Sequence, residues 1–423
     1  MIRRILVLGA ISLALGVAAR LMTAPAPAVA GSPTVNGTPD ETLSATTEEG
    51  RSLLVEVATL PTPRLRSLTL SPDGSTLAWV DDRGVVRRVD VATKRTLWRT
   101  SALEGVNALR ATSEGHVVAA SLMNPSSPTV RVLHPRWGEK RAATFPVSGA
   151  VWDLDLERDG THVIVGTGDK SVHVLPVSIG SPPPAGGQPG DEGAARHWSA
   201  PGIPASVAVA ASAERPVLLL GLWQSTGVSA RRMDGTSQWR ADSSEPERAY
   251  DVLLSEDGST GVAVSTRGRR GGEVRIDVWD VPSGKRLWSE SLAAREGRAL
   301  VSRNGQSIAV SYVREGDSGG PAGYRIALFD RSGQRMFADK GSAVFHPRLV
   351  SLAPDGSRLV LQSGLETLFV LDRRGRFLGK RRLAAQPRAG QPVTIKGVAT
   401  SADGRYLVLK RSDDQITLFK ALF

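Results

Sequence analysis

The most reactive-looking segment of this 423-residue chain is Gly316-Asp317-Ser318-Gly319-Gly320-Pro321. A serine set among glycines could attack an acyl carbon while nearby backbone N–H groups hold the developing oxyanion. That reaction also needs a histidine to take the serine proton and an acid to orient the histidine. The six histidines are His116, His134, His162, His173, His197 and His346, spread over separate stretches with no i, i+4 pair and no adjacent acid. Zinc ligation is therefore not expected from their spacing. His162 and His173 fall on neighbouring expected strands and could meet across them. The chain has no cysteine, which excludes disulfides, thiolate metal sites, a cysteine nucleophile and a lipidated N-terminal cysteine.

The serine segment resembles the nucleophile stretch of trypsin-like serine proteases. None of the histidines sits in that family's Ala-Ala-His-Cys-like context, and its cysteines are missing, so the stretch reads as a Gly-rich loop. No catalytic residue, metal or cofactor is expected.

Arginine offers a second kind of chemistry. Paired arginines recur at Arg87-Arg88, Arg231-Arg232, Arg269-Arg270, Arg373-Arg374 and Arg381-Arg382. Most read as solvated positions on outer strands and turns. The Thr266–Gly272 stretch (TRGRRGG) is different, because it expands a loop, as does the stretch 316–323. The expected binding surface is the face carrying Arg267, Arg269, Arg270, Arg314 and Arg388.

What positions these residues is an internal repeat. SLTLSPDGSTLAWV (67–80), VLLSEDGSTGVAV (252–264), VSLAPDGSRLVL (350–361) and GVATSADGRYLVL (397–409) share one form: strand, tight turn, strand. The turns are Asp73-Gly74, Asp159-Gly160, Asp257-Gly258, Asp355-Gly356 and Asp403-Gly404, with variants at Glu114-Gly115 and Asn304-Gly305. Such pairs suit a two-residue hairpin loop, which needs positive φ. Glu214-Arg215-Pro216 is a degenerate eighth. Successive turns lie 41 to 55 residues apart, the length of one four-stranded propeller blade.

Each unit continues through an aspartate (Asp90, Asp280, Asp330, Asp372) into a last strand ending on Trp98, Trp239, Trp288 or Phe337. Those aromatics are expected to wedge between neighbouring blades. The last unit, Ile395–Phe423, supplies three strands, and Arg51–Leu60 is a lone strand ahead of the first unit. Pairing the two closes the ring without a free edge. The expected fold is all-β: a β-propeller of eight four-stranded blades over 51–423, with seven blades the alternative.

The first thirty residues have a basic start (Met1–Arg4), an apolar run (Ile5–Ala19) and APAPAVA before Gly31. This is the layout of a secretory signal, or of an uncleaved N-terminal anchor that would associate residues 1–22 with a membrane. Residues 31–50 are polar and suit a flexible linker. The protein is thus expected to be exported, to the periplasm or beyond. Removing residues 1–30 takes three arginines and no acid, lowering the formal charge from +11 to +8. A basic exported surface points to an envelope protein or anionic polymer as partner, and not to nucleic acid. The chain is expected to act as a monomer.

Over 51–423 the repeat resembles the WD-repeat and quinoprotein-like (PQQ-type) propeller families: Trp279-Asp280 is a WD dipeptide, and Gly284-Lys285-Arg286-Leu287-Trp288 is similar to the end of a quinoprotein repeat. The WD families' Gly-His ahead of the first strand is absent, as is the vicinal disulfide on which quinoprotein dehydrogenases seat their cofactor. Eight blades behind an export signal are also similar to the scaffold lipoprotein of bacterial outer-membrane barrel assembly. The resemblance is one of fold; the favoured reading is a non-catalytic envelope propeller acting as a protein-interaction scaffold through its basic, loop-rich face. A hydrolase or lyase working at the axial mouth, and a small-molecule sensor, are the competing readings.

Overall fold

The computed structural model describes residues 53–421, apart from 63, 125, 127, 158–159, 178–194, 211–216, 224–226, 243–248, 267–271, 315–322, 339–347, 364–366, 384–393 and 402. The expected signal segment and linker, the Gly316 loop and the Glu214 turn lie outside the described residues.

The turn chemistry repeats from blade to blade. At the first turn, Ser71 N–H donates to the Thr76 carbonyl (2.9 Å) and Gly74 N–H to the Ser71 carbonyl (2.8 Å). Ser71 Oγ donates to Asp73 Oδ1 (2.6 Å), and Thr76 N–H donates back to Ser71 Oγ (2.9 Å). Ser255–Asp257–Gly258 and Ser401–Asp403–Gly404 reproduce this arrangement. The loop therefore brackets residues 72–75 rather than two residues. Gly74 alone takes positive φ, +71°, while Asp73 serves as an acceptor for local N–H and O–H groups. The expected two-residue hairpin is corrected: a side-chain hydrogen-bond network holds the chain reversal.

These turns link strands into eight four-stranded antiparallel sheets, seven of them with their strands in sequence order. Blades 1 to 7 span 65–102, 108–146, 151–199, 203–241, 249–292, 294–338 and 348–382; blade 8 takes 395–421 and borrows the first strand, Leu54–Pro61. That strand runs antiparallel to Gln415–Ala421, from Leu54 opposite Ala421 to Pro61 opposite Gln415. The ring is an eight-bladed β-propeller closed by its N-terminal strand. Both strands flanking the degenerate Glu214 turn pair within blade 4, so that unit is a full blade and the seven-bladed alternative falls.

The core is not central but lies in the seams. Each of eight hydrophobic clusters is shared between two neighbouring blades; Leu154, Val163 and Val165 of blade 3, for example, pack on Val118 and Val132 of blade 2. At the outer edge, an aromatic of one blade covers a turn glycine of the next: Trp98 over Gly138, Trp198 over Gly235, Trp239 over Gly284, Trp288 over Gly333 and Phe337 over Gly375. Three of the indoles also donate across the seam, to the carbonyls of Pro135 (2.8 Å), Val281 (2.7 Å) and Arg331 (3.2 Å).

Two expectations about charged side chains need correction. Arg88 is not solvated: it is 7% exposed, with Nη1 donating to the Pro135 carbonyl at 2.6 Å. Arg231 lies over the Trp198 ring at 5.0 Å. Both guanidiniums serve seams, because a planar fork can satisfy several acceptors or stack on a ring where an ammonium cannot.

Candidate functional site

The innermost strand of every blade faces the axis with one edge free of a strand partner. On blades 2 to 6 these strands carry a belt of polar groups. Asp153 and Asp155 lie on the blade 3 strand (Val151–Leu156), with Leu154 between them buried in the seam to blade 2. Strand alternation turns both carboxylates the other way, toward blade 4. Asp153 Oδ2 accepts the N–H of Val207, and Asp155 Oδ2 the N–H of Val209, each at 3.0 Å. Ser206 continues the belt, donating its hydroxyl to Asp251 Oδ1 of blade 5 (3.1 Å) and accepting the N–H of Val252 (3.2 Å). Arg110 of blade 2 stands 4.0 Å from Asp155, and Arg298 of blade 6 attracts Asp251.

Burial sets the electrostatics. It pushes Asp153 up to about 6, against the pull of Arg110 and of the Val207 N–H. It also raises Asp155, opposed by Arg110, and Asp251, opposed by Ser206 and Arg298. Asp251 keeps solvent-exposed surface, yet the surrounding blades displace enough bulk water to disfavour its charge. Raised carboxyls in a cleft are candidates for proton transfer, but here at least one oxygen of each is held by a neighbouring blade.

The described histidines lie elsewhere. His162 and His173 do not meet: His162 sits opposite Pro176 and His173 opposite Val165. His173 instead stacks on His197 of the outer strand at 5.7 Å, with Ser148 Oγ 3.0 Å from its Nε2. His162 Nδ1 is 2.7 Å from Glu157 Oε2. Among the described residues no three His, Asp or Glu side chains are grouped to hold a metal ion.

Of the arginines expected to form the binding face, Arg314 is exposed at the end of the second strand of blade 6, Ser307–Arg314, opposite Gly323. Arg267, Arg269, Arg270 and Arg388 lie outside the described residues. No one segment of the sequence contains the inner belt; five blades contribute a residue or two each.

No known family profile matches the chain, and no curated protein matches it. Solved structures do match, at fold level. The Dos1 propeller superposes with a TM-score of 0.64 at 10% identity, covering 88% of this chain and 96% of that one. The C-terminal WD40 domain of Sif2 gives 0.59 at 13% identity, over 87% and 98%. BamB from Moraxella catarrhalis gives 0.58 at 13%, over 87% and 99%. Propellers with WD40-type and BamB-type repeats thus share this architecture.

Proposed function

We propose that the protein is a non-catalytic interaction scaffold of the bacterial envelope, engaging a protein or polyanionic partner through the loop face that carries Arg267, Arg269, Arg270, Arg314 and Arg388. The observation that carries this reading is the engagement of the inner belt. Asp153, Asp155 and Asp251, the acids best placed for chemistry at the axis, are hydrogen-bonded to the next or preceding blade. They act as clamps between blades. A rigid ring with expanded loops suits binding, since loops on a fixed scaffold meet a partner with little ordering cost. The envelope placement rests on the signal layout of residues 1–30.

The test is retention of partners from envelope extract by the chain lacking residues 1–30, at low and high salt. One protein retained at high salt, and lost when Arg267, Arg269 and Arg270 are changed to glutamate, is the expected result. Retention of polyanions alone, abolished by salt, would refute a specific partner. The axial-hydrolase reading draws on one observation, the upward shift of Asp153. It requires that Asp153→Asn abolish a hydrolytic activity that the wild type shows.

A further inference from the structure

The third-to-fourth-strand turn of blade 2 is held more firmly than a plain connection requires. The Pro135 carbonyl accepts two donors from blade 1, Arg88 Nη1 (2.6 Å) and Trp98 Nε1 (2.8 Å). His134 Nδ1 accepts the N–H of Arg136 (3.1 Å) and of Trp137 (3.3 Å). Burial, then the charges of Arg141 and Arg136, push the His134 imidazole down, which keeps it neutral as that acceptor. Gly138 lies beneath the Trp98 ring. This fixed turn leaves Trp137 50% exposed, the most exposed large apolar side chain among the described residues.

The hairpin that carries the indole is rich in cations. Arg141 lies 5.4 Å from the ring centroid, and Arg136 and Lys140 are exposed on the same hairpin. None of the three forms an ion pair among the described residues. The one acid of the hairpin, Glu139, accepts from Ser101 N–H (2.7 Å) and Ser101 Oγ of blade 1. The indole therefore presents an aromatic anchor in a basic, preorganised frame, the composition found at interface hot spots.

We infer that the Trp137 hairpin is a docking site for an acidic protein segment that places an apolar side chain against the indole and carboxylates on Arg136, Lys140 and Arg141. Charge complementarity selects the acidic partner. A single aromatic on a narrow turn matches one side chain, whereas a lipid surface is gripped by several apolar tips. The site leaves from the face of the first and third turns, opposite the proposed arginine loop face, and does not rest on that reading.

The experiment is fluorescence anisotropy of a labelled peptide of alternating glutamate and leucine, titrated with the full chain. Wild type is expected to bind it and to ignore the lysine–leucine counterpart. Trp137→Ala and Arg141→Glu should each weaken binding about tenfold or more, while Lys285→Glu on blade 5 stays within about twofold. Trp137 is half in solvent, so an unchanged melting midpoint for Trp137→Ala certifies its fold, and Arg141→Glu supplies a second reading. No binding by wild type, or equal binding by Trp137→Ala, overturns the inference. So does Trp137-dependent binding of phosphatidylglycerol vesicles without peptide binding. None of these variants touches Arg267, Arg269 or Arg270, so this site and the loop face stand or fall separately.

Discussion

Asp153 reaches out of its own blade to accept the backbone N–H of Val207 at 3.0 Å, so a carboxylate does at the axis what a neighbouring strand does elsewhere in the sheet. Asp155 repeats the contact two residues on, with Val209. The contact satisfies an edge donor, but it keeps a charge where burial disfavours one.

That conflict gives a pH dependence. Asp153 is raised from 3.8 to about 6, so between those values the folded state holds a proton that the unfolded state has released. Its contribution to stability is fully present below about pH 4 and is lost as pH rises through about 6, an effect of order 2–3 kcal/mol before relaxation. Asparagine keeps the acceptor oxygen and has no charge to bury. Asp153→Asn is expected to gain stability relative to wild type as pH rises from about 4 to 7, read from urea unfolding of the two proteins at each pH. Asp73, Asp257 and Asp280 shift downward, because hydroxyl and amide donors outweigh burial, so the wild-type curve alone mixes both signs. A constant difference between the two proteins across this range would refute the argument.

Trp239 and Gly284 should be energetically coupled. A Cβ at Gly284 would come 2.7 Å from Trp239 Cγ, and the glycine sits at φ +70°. Gly284→Ala is expected to cost about 2 kcal/mol, part strain and part clash. Trp239→Ala, which also strips a donor from the Val281 carbonyl, should cost about 3–5 kcal/mol. In the double variant the clash is gone, so the two losses should sum to less than their separate values. Additive losses would mean that the ring does not press on the turn.

Arg88→Lys is expected to destabilise by about 1–3 kcal/mol, because one ammonium cannot reproduce the guanidinium fork in a buried seam. Arg95→Lys, at an exposed turn position of the same blade, should be neutral. Melting midpoints of the two variants give the comparison, and equal midpoints would return Arg88 to the solvent-exposed class.

Removing residues 1–61 should be worse than any of these changes. It leaves Gln415–Ala421 as an open edge and uncovers the seam that Leu54 fills at 2% exposure. Lower thermal stability and concentration-dependent association, seen by light scattering, are expected.

The architecture was legible because turn residues recur at blade-length intervals, and a repeat averages over its weaker copies: the unit lacking Asp-Gly at Glu214 still builds a blade. Local chemistry was less legible. The type of turn depended on Ser71 and its counterparts, whose hydroxyls replace a backbone bond and carry no special φ. Arg88 read as solvated because its partners, Thr76 and Pro135, come from the adjacent strand of its own blade and from a turn of the next blade. Yet part of the inner belt did leave a trace. Asp153, Asp251 and Arg298 each stand four residues ahead of the residue that opens their turn, Glu157, Ser255 and Ser302. Aligning the repeats by turn would have placed two acids and an arginine at one inner-strand position. The exposed Trp137 left none, since exposure at a turn follows from how the preceding blade grips it.

The closing strand also sets an order of events. Leu54 is made early, but its partner Ala421 lies 367 positions further on, so the strand stays single until the final blade exists. In a chain synthesised from its N-terminus, the first strand to emerge becomes the last to be seated. A truncated product would never seat it, and would carry its incompleteness on its outside as a bare strand that a protease or chaperone can read.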